Sequence, residues 1–194
     1  MGNLYVPGCN EHLILHKLRD NAAFVPELDF VALKDNKIVG NIVYTRAAVI
    51  YSSGKFHEVL SFGPISVLPK FQNQGIGAAL INHSTKVAKE IGFKAIIIYG
   101  NPDYYQKLGF KKCQDFNITK PDGNFLDALL ALELTENSLK YIKGRFYEDP
   151  IYEITQDELA DFDKTFPQRE KVITESQKVF AEAIKNTIYA KIQK

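Results

Sequence analysis

The sequence of 194 residues has no tryptophan, a single methionine and two cysteines. The isolated Cys9 and Cys113 cannot make the disulfide framework of a small secreted domain, so we expect a cytoplasmic protein. The sequence also lacks a charge imbalance, since it contains 24 basic and 23 acidic residues. The net charge of +1 supplies no field that attracts nucleic acid or anionic lipid, and we expect neither as a partner.

Long apolar runs are absent from the sequence. The strongly apolar stretches 47–51 and 95–99 have the length of strands and fall far short of the roughly 20 residues that cross a bilayer. We therefore expect no membrane-spanning segment. With 45% hydrophobic residues, the chain has enough apolar material for the core of a folded protein of roughly one domain.

Alternating helical and strand patterns follow one another along the first two thirds of the chain. The residue patterns predict helices over 10–19, 75–91 and 103–107, and strands over 28–33, 38–50, 58–68, 95–99 and 126–134. Gly63-Pro64 interrupts the third strand, where proline cannot donate to a ladder and favours a bulge or a splay. The helix over 75–91 joins two strands that should therefore be parallel.

Two capping-box patterns, at Thr155 and Thr174, predict helices in the last 60 residues. We expect residues 1–134 to form one domain, with residues 135–194 as a C-terminal helical extension packed on it. The helix after Thr174 carries an apolar face that we expect to cover the exposed edge of the strand over 28–33; this face comprises Val179, Phe180, Ile184 and Ile188.

The segment Gln72-Asn73-Gln74-Gly75-Ile76-Gly77 lies between a strand and a helix, where free backbone amides and the helix dipole favour an anion. No Gly-Lys-Ser/Thr follows, which excludes a Walker A loop, and Leu80 occupies the third glycine position of a dinucleotide-binding loop. A tight turn without any ligand explains two glycines equally well. The loop alone therefore leaves phosphate binding open.

Two motifs in this order resemble the GNAT superfamily of acetyl-CoA-dependent N-acetyltransferases. Gln72, Gly75 and Gly77 match the family's (Gln/Arg)-x-x-Gly-x-(Gly/Ala) motif, and Tyr105 to Phe110 resembles its Tyr-x-Lys-x-Gly-Phe segment. The resemblance implies an α/β fold with a mixed, mostly antiparallel central sheet that splays at the cofactor site. GNAT chains usually have a strand and a helix before the helix predicted here at 10–19, so the first strand is expected to be missing.

The resemblance also implies the residues that bind acetyl-CoA, the expected cosubstrate. Backbone groups freed by the splay would hold the pantetheine arm and polarise the thioester carbonyl, while the loop would hold the pyrophosphate. The implied cofactor-binding residues are Ile65, Ser66, Val67, Gln72, Asn73, Gln74, Gly75, Ile76, Gly77, Ala78, Asn101 and Tyr105.

Two residues are candidates for catalysis. Tyr105 matches the family position of the acid that protonates the departing thiolate, although packing against Phe110 would explain it too. Tyr104 is assigned to packing. Glu58 leads into the splay and could serve as the base, and a solvated glutamate at a strand start is an equal alternative. His12 and His16 lack the third ligand of a metal site, so no metal is expected.

The function that the resemblance implies is transfer of acetyl from acetyl-CoA to an amine by direct attack in a ternary complex. A non-catalytic module that binds or senses acyl-CoA is the alternative, because the phosphate loop can persist without acceptor chemistry. The sequence does not identify the amine, and a homodimer is possible.

Overall fold

The computed structural model of the protein describes residues 9–168 and 170–188. The helices in that part are α1 (Glu11–Leu18), α2 (Ile76–Glu90), α3 (Pro102–Tyr105), α4 (Gln156–Asp163) and α5 (Glu175–Lys185). The strands are β1 (Phe30–Lys34), β2 (Lys37–Ile50), β3 (Phe56–Val67), β4 (Ala95–Tyr99), β5 (Lys111–Lys112), β6 (Ile118–Thr119), β7 (Phe125–Leu126), β8 (Leu129–Glu133), β9 (Gly144–Tyr147) and β10 (Thr187–Ile188). None of these helices is long and apolar enough to cross a membrane.

A mixed, mostly antiparallel sheet organises the fold. Its strands follow the order β5-β8-β4-β3-β2-β9-β6, with β1 also paired to β2, and the parallel pairs are β3 with β4 and β6 with β9. Asp35 and Asn36 turn β1 into β2 with φ angles of 51° and 58°, the left-handed pair that a two-residue hairpin requires. The predicted fold class, with its parallel pair across α2, is therefore confirmed.

Both faces of the sheet are buried. Successive side chains of a strand point to opposite sides, so each strand contributes to the core on both faces. On the face covered by α2, called the α2 face, Ile42 and Tyr44 of β2 pack with Leu80 and Ile81. On the opposite face, the neighbouring positions of β2 and β4 pack with β8, β9 and α5. The chemistry of any site at the sheet depends on which of these two faces a side chain occupies.

The C-terminal segment contributes a strand as well as helices. β9 follows the expected boundary at residue 134, yet it lies in the central sheet beside β2, with Ala48 opposite Tyr147. The expected extension is therefore not purely helical. Four residues are too few to reveal a period of two, so the sequence pattern missed this strand.

Helix α5 begins at the predicted capping box, in which Thr174 and Gln177 bond reciprocally. Its Phe180, Ala183 and Ile184 pack on the opposite face of the sheet, in a cluster to which β1 contributes no described side chain. The expectation that this helix covers the edge of β1 is therefore wrong, because its apolar face is used on the other strands. The side chain of Ile188 lies outside the described residues.

Helix α1 forms where it was predicted, but the side chain of Asn10 makes no capping hydrogen bond. Leu13, Ile14 and Leu18 pack with Val43 of β2 and with Leu159 of α4. The expected absence of a strand before α1 concerns residues 1–8, which lie outside the described residues.

We predict that Gly144→Ala destabilises the protein more than Gly54→Ala. Both glycines have left-handed φ angles, 156° and 81°, but a Cβ on Gly144 would overlap the carbonyl oxygen of Ile50, whereas a Cβ on Gly54 meets open space. The additional loss for Gly144→Ala should be about 1 to 3 kcal/mol. Urea unfolding of both variants measures it, and equal losses would show that β9 does not require this close approach to β2.

Candidate functional site

Strands β3 and β4 lie side by side only at the start of their shared path. Leu60 and Ile96 form their one pair among the described residues, after which β3 continues to Val67 and β4 to Tyr99 without pairing to each other. A bulge accompanies this separation, since Gly63 and Pro64 together oppose Val43 of β2. The two strands therefore enclose a V-shaped opening, called the splay, as the sequence predicts.

The backbone groups that face the splay follow from the alternation of an antiparallel ladder. The amide of Leu68 donates to the carbonyl of Val39 at 2.8 Å, so the backbone groups of Val67 and Ile65 point away from β2. Those of Ser66 point toward β2, and its carbonyl oxygen lies against Gly40. The expectation of free backbone groups is thus compatible with Ile65 and with the amide of Val67. It is wrong for Ser66, which the ladder uses, and for the Val67 carbonyl, which accepts a hydrogen bond from Gln72.

The loop before α2 ends in a helix N-terminus that lacks a side-chain cap. Asn73 and Gly75 have φ angles of 58° and 80°, and this left-handed backbone turns the chain into α2 at Ile76. Gly75 occupies the capping position, and the first turn holds no acidic residue. The amides of Ile76, Gly77 and Ala78 therefore begin the helix with the partial positive charge that favours an anion.

The glutamine side chains of this loop hold its shape. Gln72 Nε2 donates to the carbonyl of Val67 at 3.0 Å, which ties the loop to the end of β3. Gln74 accepts from Lys34 Nζ at 3.0 Å and donates to the carbonyl of Lys70 at 3.1 Å. The matched Gln72 of the sequence motif is thus a residue that positions the loop beside the splay.

Tyr104 reaches this loop, which the sequence did not indicate. A Cβ built on Gly77 would lie 2.9 Å from the Tyr104 hydroxyl, which shows how closely the Tyr104 side chain approaches the loop. Asn101 accepts from the amide of Asp103 at 2.9 Å and caps α3, the short helix that carries Tyr104. The second motif therefore lies against the first.

Tyr105 lies at the splay on the α2 face. Its ring packs against Phe62 and Phe110, with centroids 5.8 and 5.5 Å away. Burial raises the pKa of Tyr105 well above that of a free phenol, so the hydroxyl stays protonated at neutral pH. A protonated phenol next to the splay can donate a proton there, and the packing that the sequence offered as an alternative is present as well.

Glu58 does not lie beside the other candidate site residues. Its carboxylate accepts from Arg46 Nη1 at 3.0 Å, and both residues line a pocket of about 290 Å³ together with Gly92 and Phe93 beyond the C-terminal end of α2. The loop lies at the N-terminal end of this 15-residue helix, about 22 Å away along its axis. The geometry therefore gives Glu58 an ion pair and no position at the splay.

A polar cluster that the sequence did not reveal lies on the opposite face, beside the splay. Ser61 Oγ donates to Glu148 Oε1 at 2.8 Å, and Thr45 Oγ1 shares a hydrogen bond of 3.0 Å with the Tyr152 hydroxyl. Tyr152 also donates to the carbonyl of Gly63 at 3.2 Å. The side chains of Ser61, Glu148, Thr45 and Tyr152, together with that of Tyr99 at the end of β4, are called the Glu148 cluster.

Electrostatics make Glu148 a group that titrates near neutral pH. Burial raises the pKa of Glu148 to about 7, although the hydrogen bond from Ser61 opposes this change. Burial also raises the pKa values of Tyr99 and Tyr152, and the charge of Glu148 raises them further. Glu148 escaped the sequence analysis because it reaches Ser61, 87 residues earlier, only through the pairing of β9 with β2.

Comparison with known proteins agrees with this arrangement. The sheet opens next to an uncapped helix N-terminus, an arrangement in an α/β protein that favours an anion at the opening. The family model of the acetyltransferase (GNAT) domain matches residues 27–112, which contain the splay and the loop. Residues 27–112 therefore match the GNAT acetyltransferase domain, and the resemblance to the GNAT superfamily that the two motifs carry is confirmed.

Two Escherichia coli relatives are similar over about half of the chain. The uncharacterized N-acetyltransferase YjhQ is 30% identical over 103 residues, which are 52% of this chain and 55% of YjhQ. The uncharacterized N-acetyltransferase YhbS is 24% identical over 102 residues, which are 52% of this chain and 58% of YhbS. The chain thus spans little more than half the length of these curated relatives.

Solved structures share the fold over a larger part of the chain. Crystalline YhbS from Escherichia coli, in complex with CoA, superposes with a TM-score of 0.68 at 18% identity and covers 78% of this chain and 82% of its own. A GNAT acetyltransferase from Brucella melitensis, in complex with acetyl-CoA, gives a TM-score of 0.57 at 22% identity, with 74% and 78% covered. These superpositions establish a common fold.

We predict that Glu148→Gln removes a pH dependence of stability. The folded-state pKa of about 7 lies above the ordinary 4.5, so the folded protein binds the proton more tightly and its stability falls as the pH rises between these values. The fall amounts to about 3 kcal/mol, and stability is level above the higher pKa. Glutamine cannot ionise, so the variant should lack this fall.

Urea unfolding between pH 4.5 and 8 measures how the free energy of unfolding depends on pH, and this dependence reports the raised pKa of Glu148. The exposed Glu153, five residues later, supplies the matched control, and Glu153→Gln should retain the wild-type fall. A Glu148→Gln variant with the wild-type pH dependence would show that Glu148 ionises as an ordinary carboxyl.

Proposed function

We propose that the chain is an acetyl-CoA-dependent N-acetyltransferase that transfers acetyl to an amine by direct attack in a ternary complex. The observation that carries the proposal is the splay between β3 and β4 beside the uncapped N-terminus of α2. The CoA and acetyl-CoA complexes of proteins with the same fold support acetyl-CoA as the cosubstrate.

Acetyl-CoA would occupy the splay with its pyrophosphate at the start of α2. The amides over 76–78 would bind the phosphate oxygens, and the charges of Lys34 and Lys70, which both lie over the ring of Phe71, add a positive field. The backbone groups of Ile65 and the amide of Val67, which face the splay, would hold the pantetheine arm and polarise the thioester carbonyl.

The transfer requires a neutral amine, a polarised thioester and a proton for the leaving thiolate. The amine nitrogen attacks the thioester carbon, the C–N bond forms, and the C–S bond breaks as the tetrahedral intermediate collapses. Tyr105 supplies the thiolate proton from the α2 face, where burial keeps its hydroxyl protonated. Tyr105 is therefore the proposed acid of the reaction.

A non-catalytic acyl-CoA-binding module would share the splay and the loop. It would have no use for a protonated phenol on one side of the splay and an ionisable carboxyl on the other. Tyr105 contacts Phe62, and Glu148 accepts a hydrogen bond from the adjacent Ser61. These two contacts therefore favour an acetyltransferase over a non-catalytic module.

We predict that Gly75→Glu weakens acetyl-CoA binding by a hundredfold or more, because a carboxylate would stand where the pyrophosphate binds. Gly92→Glu is the matched control. Gly75 and Gly92 have φ angles of 80° and 105° and open space around a Cβ, so both variants carry the same strain and charge. They differ in lying at opposite ends of α2.

Calorimetric titration with acetyl-CoA compares the two variants, and unfolding curves establish that both are folded. Gly92→Glu should keep the wild-type affinity within a few fold. Equal affinities for the two variants would refute the assignment of the loop, and no binding by the wild-type chain would refute acetyl-CoA as the cosubstrate.

We predict that Tyr105→Phe lowers turnover on the order of a hundredfold while acetyl-CoA affinity changes little, as expected when a positioned proton donor is lost. Thiol release from acetyl-CoA is followed with three amine classes: n-butylamine, a lysine-containing peptide with a blocked N-terminus, and a lysine-free peptide with a free N-terminus. Tyr141→Phe is the control, since Tyr141 is 81% exposed. Equal turnover by Tyr105→Phe and wild type would contradict the role of Tyr105.

A further inference from the structure

We propose that Glu148 binds the ammonium group of the acceptor and takes its proton, so that the amine enters the splay from the face opposite α2. This inference rests on the proposed acetyltransferase function and identifies the side from which the acceptor approaches. It assigns a catalytic role to the C-terminal segment, which the family model over 27–112 does not include.

The position of Glu148 follows from the point at which the strands separate. Ser61, which holds the carboxylate, directly follows Leu60, the last residue of β3 that pairs with β4. Ser61 and Phe62 are consecutive in a strand and therefore point to opposite faces. Phe62 contacts Tyr105 and Ser61 contacts Glu148, so the two groups flank the opening from its two sides.

Neighbouring charges leave the carboxylate without a cation. The groups that face Glu148 are Ser61 from β3, Thr45 from β2, Tyr99 from β4, and Tyr152 from the turn after β9. Asp149 also raises the pKa of Tyr152, and Cys113 and Asp122 raise the pKa of Tyr99. Within the described residues, no lysine, arginine or histidine side chain contributes to the pKa of Glu148.

A half-buried carboxylate without a counterion is stabilised by a cation that enters its site. An ammonium group carries that charge and brings the N–H donors that a carboxylate accepts. The site therefore selects a primary amine in its protonated form, which is the form that such amines have at neutral pH. This chemistry specifies the acceptor as a cationic amine.

The proton balance is complete with these two side chains. The acceptor R–NH₃⁺ gives one proton to the Glu148 carboxylate, and the neutral nitrogen then attacks the thioester carbon. After the C–N bond forms, the C–S bond breaks and the CoA thiolate takes the proton of Tyr105. The second proton lost by the nitrogen restores Tyr105, and Glu148 returns its own proton to solvent. The products are an amide, CoA thiol and one proton.

The alternative position for the base, Glu58, lacks this geometry. Its carboxylate already has Arg46 as a partner at 3.0 Å, and it lies on the α2 face toward the far end of α2. A base on that face would share the side that the proposed acid Tyr105 occupies. Glu148 is the carboxylate on the face opposite Tyr105 that is held beside the splay.

The test compares the pH profiles of wild type, Glu148→Gln and Glu148→Asp, with Glu153→Gln as the matched control. The probes are the three amines used above, and thiol release from saturating acetyl-CoA is measured from pH 6 to 10. Glutamine can still accept the hydrogen bond from Ser61, and acetyl-CoA affinity and unfolding curves establish that each variant is intact.

We expect Glu148→Gln to lose on the order of a hundredfold in kcat/KM for the amine at pH 7.5, with the loss shrinking toward pH 10. At high pH the free amine no longer needs a base, so the profiles of variant and wild type should converge. Glu148→Asp should lose less and keep the wild-type shape, and Glu153→Gln should match wild type throughout.

The outcomes separate this inference from the proposed function. If the wild type is active and Glu148→Gln has the same kcat/KM at each pH, the inference alone is overturned. A loss of kcat/KM that is uniform across pH would also overturn it, because such a loss indicates a structural role. A low-pH loss in Glu58→Gln without one in Glu148→Gln would move the base to Glu58. A wild type that binds acetyl-CoA but acetylates none of the amines would overturn the transferase proposal and the inference together.

Discussion

The separation of β3 from β4 after Leu60 and Ile96 is the constraint on which the rest of the structure depends. Two residues of β3, Gly63 and Pro64, oppose the single Val43 of β2, and this bulge turns the end of β3 away from β4. The remaining backbone groups of β3 then face an opening instead of a neighbouring strand. The candidate functional groups other than Glu58 lie at the rim of that opening or shape it.

The two sides of the opening differ in chemistry because strand residues alternate between faces. The α2 face provides the helix N-terminus, the close contact between Gly77 and Tyr104, and the buried phenol of Tyr105. The opposite face provides a carboxyl whose pKa of about 7 lets it exchange a proton at neutral pH. A thioester in the opening would therefore meet the proposed acid on one side and the proposed base on the other.

The C-terminal segment contributes to the sheet and to the site at once. Pairing of β9 with β2 places Glu148 across β2 from Ser61, while α5 adds Phe180, Ala183 and Ile184 to the core on the same face. The family model ends at residue 112, before this segment. The residue proposed to bind the acceptor therefore lies outside the region that the family model matches.

Local signals in the sequence determined most of the helices, the longer strands and the loop before α2. A few adjacent residues specify the caps at Thr155 and Thr174, the break at Gly63-Pro64 and the helix start after Gly75, so a pattern reveals them. Only the tertiary structure decided that Ser66 faces β2, that Glu58 pairs with Arg46, and that Glu148 reaches Ser61. These facts depend on which strands pair and on contacts between residues up to 87 positions apart, and a pattern of a few adjacent residues does not specify such contacts.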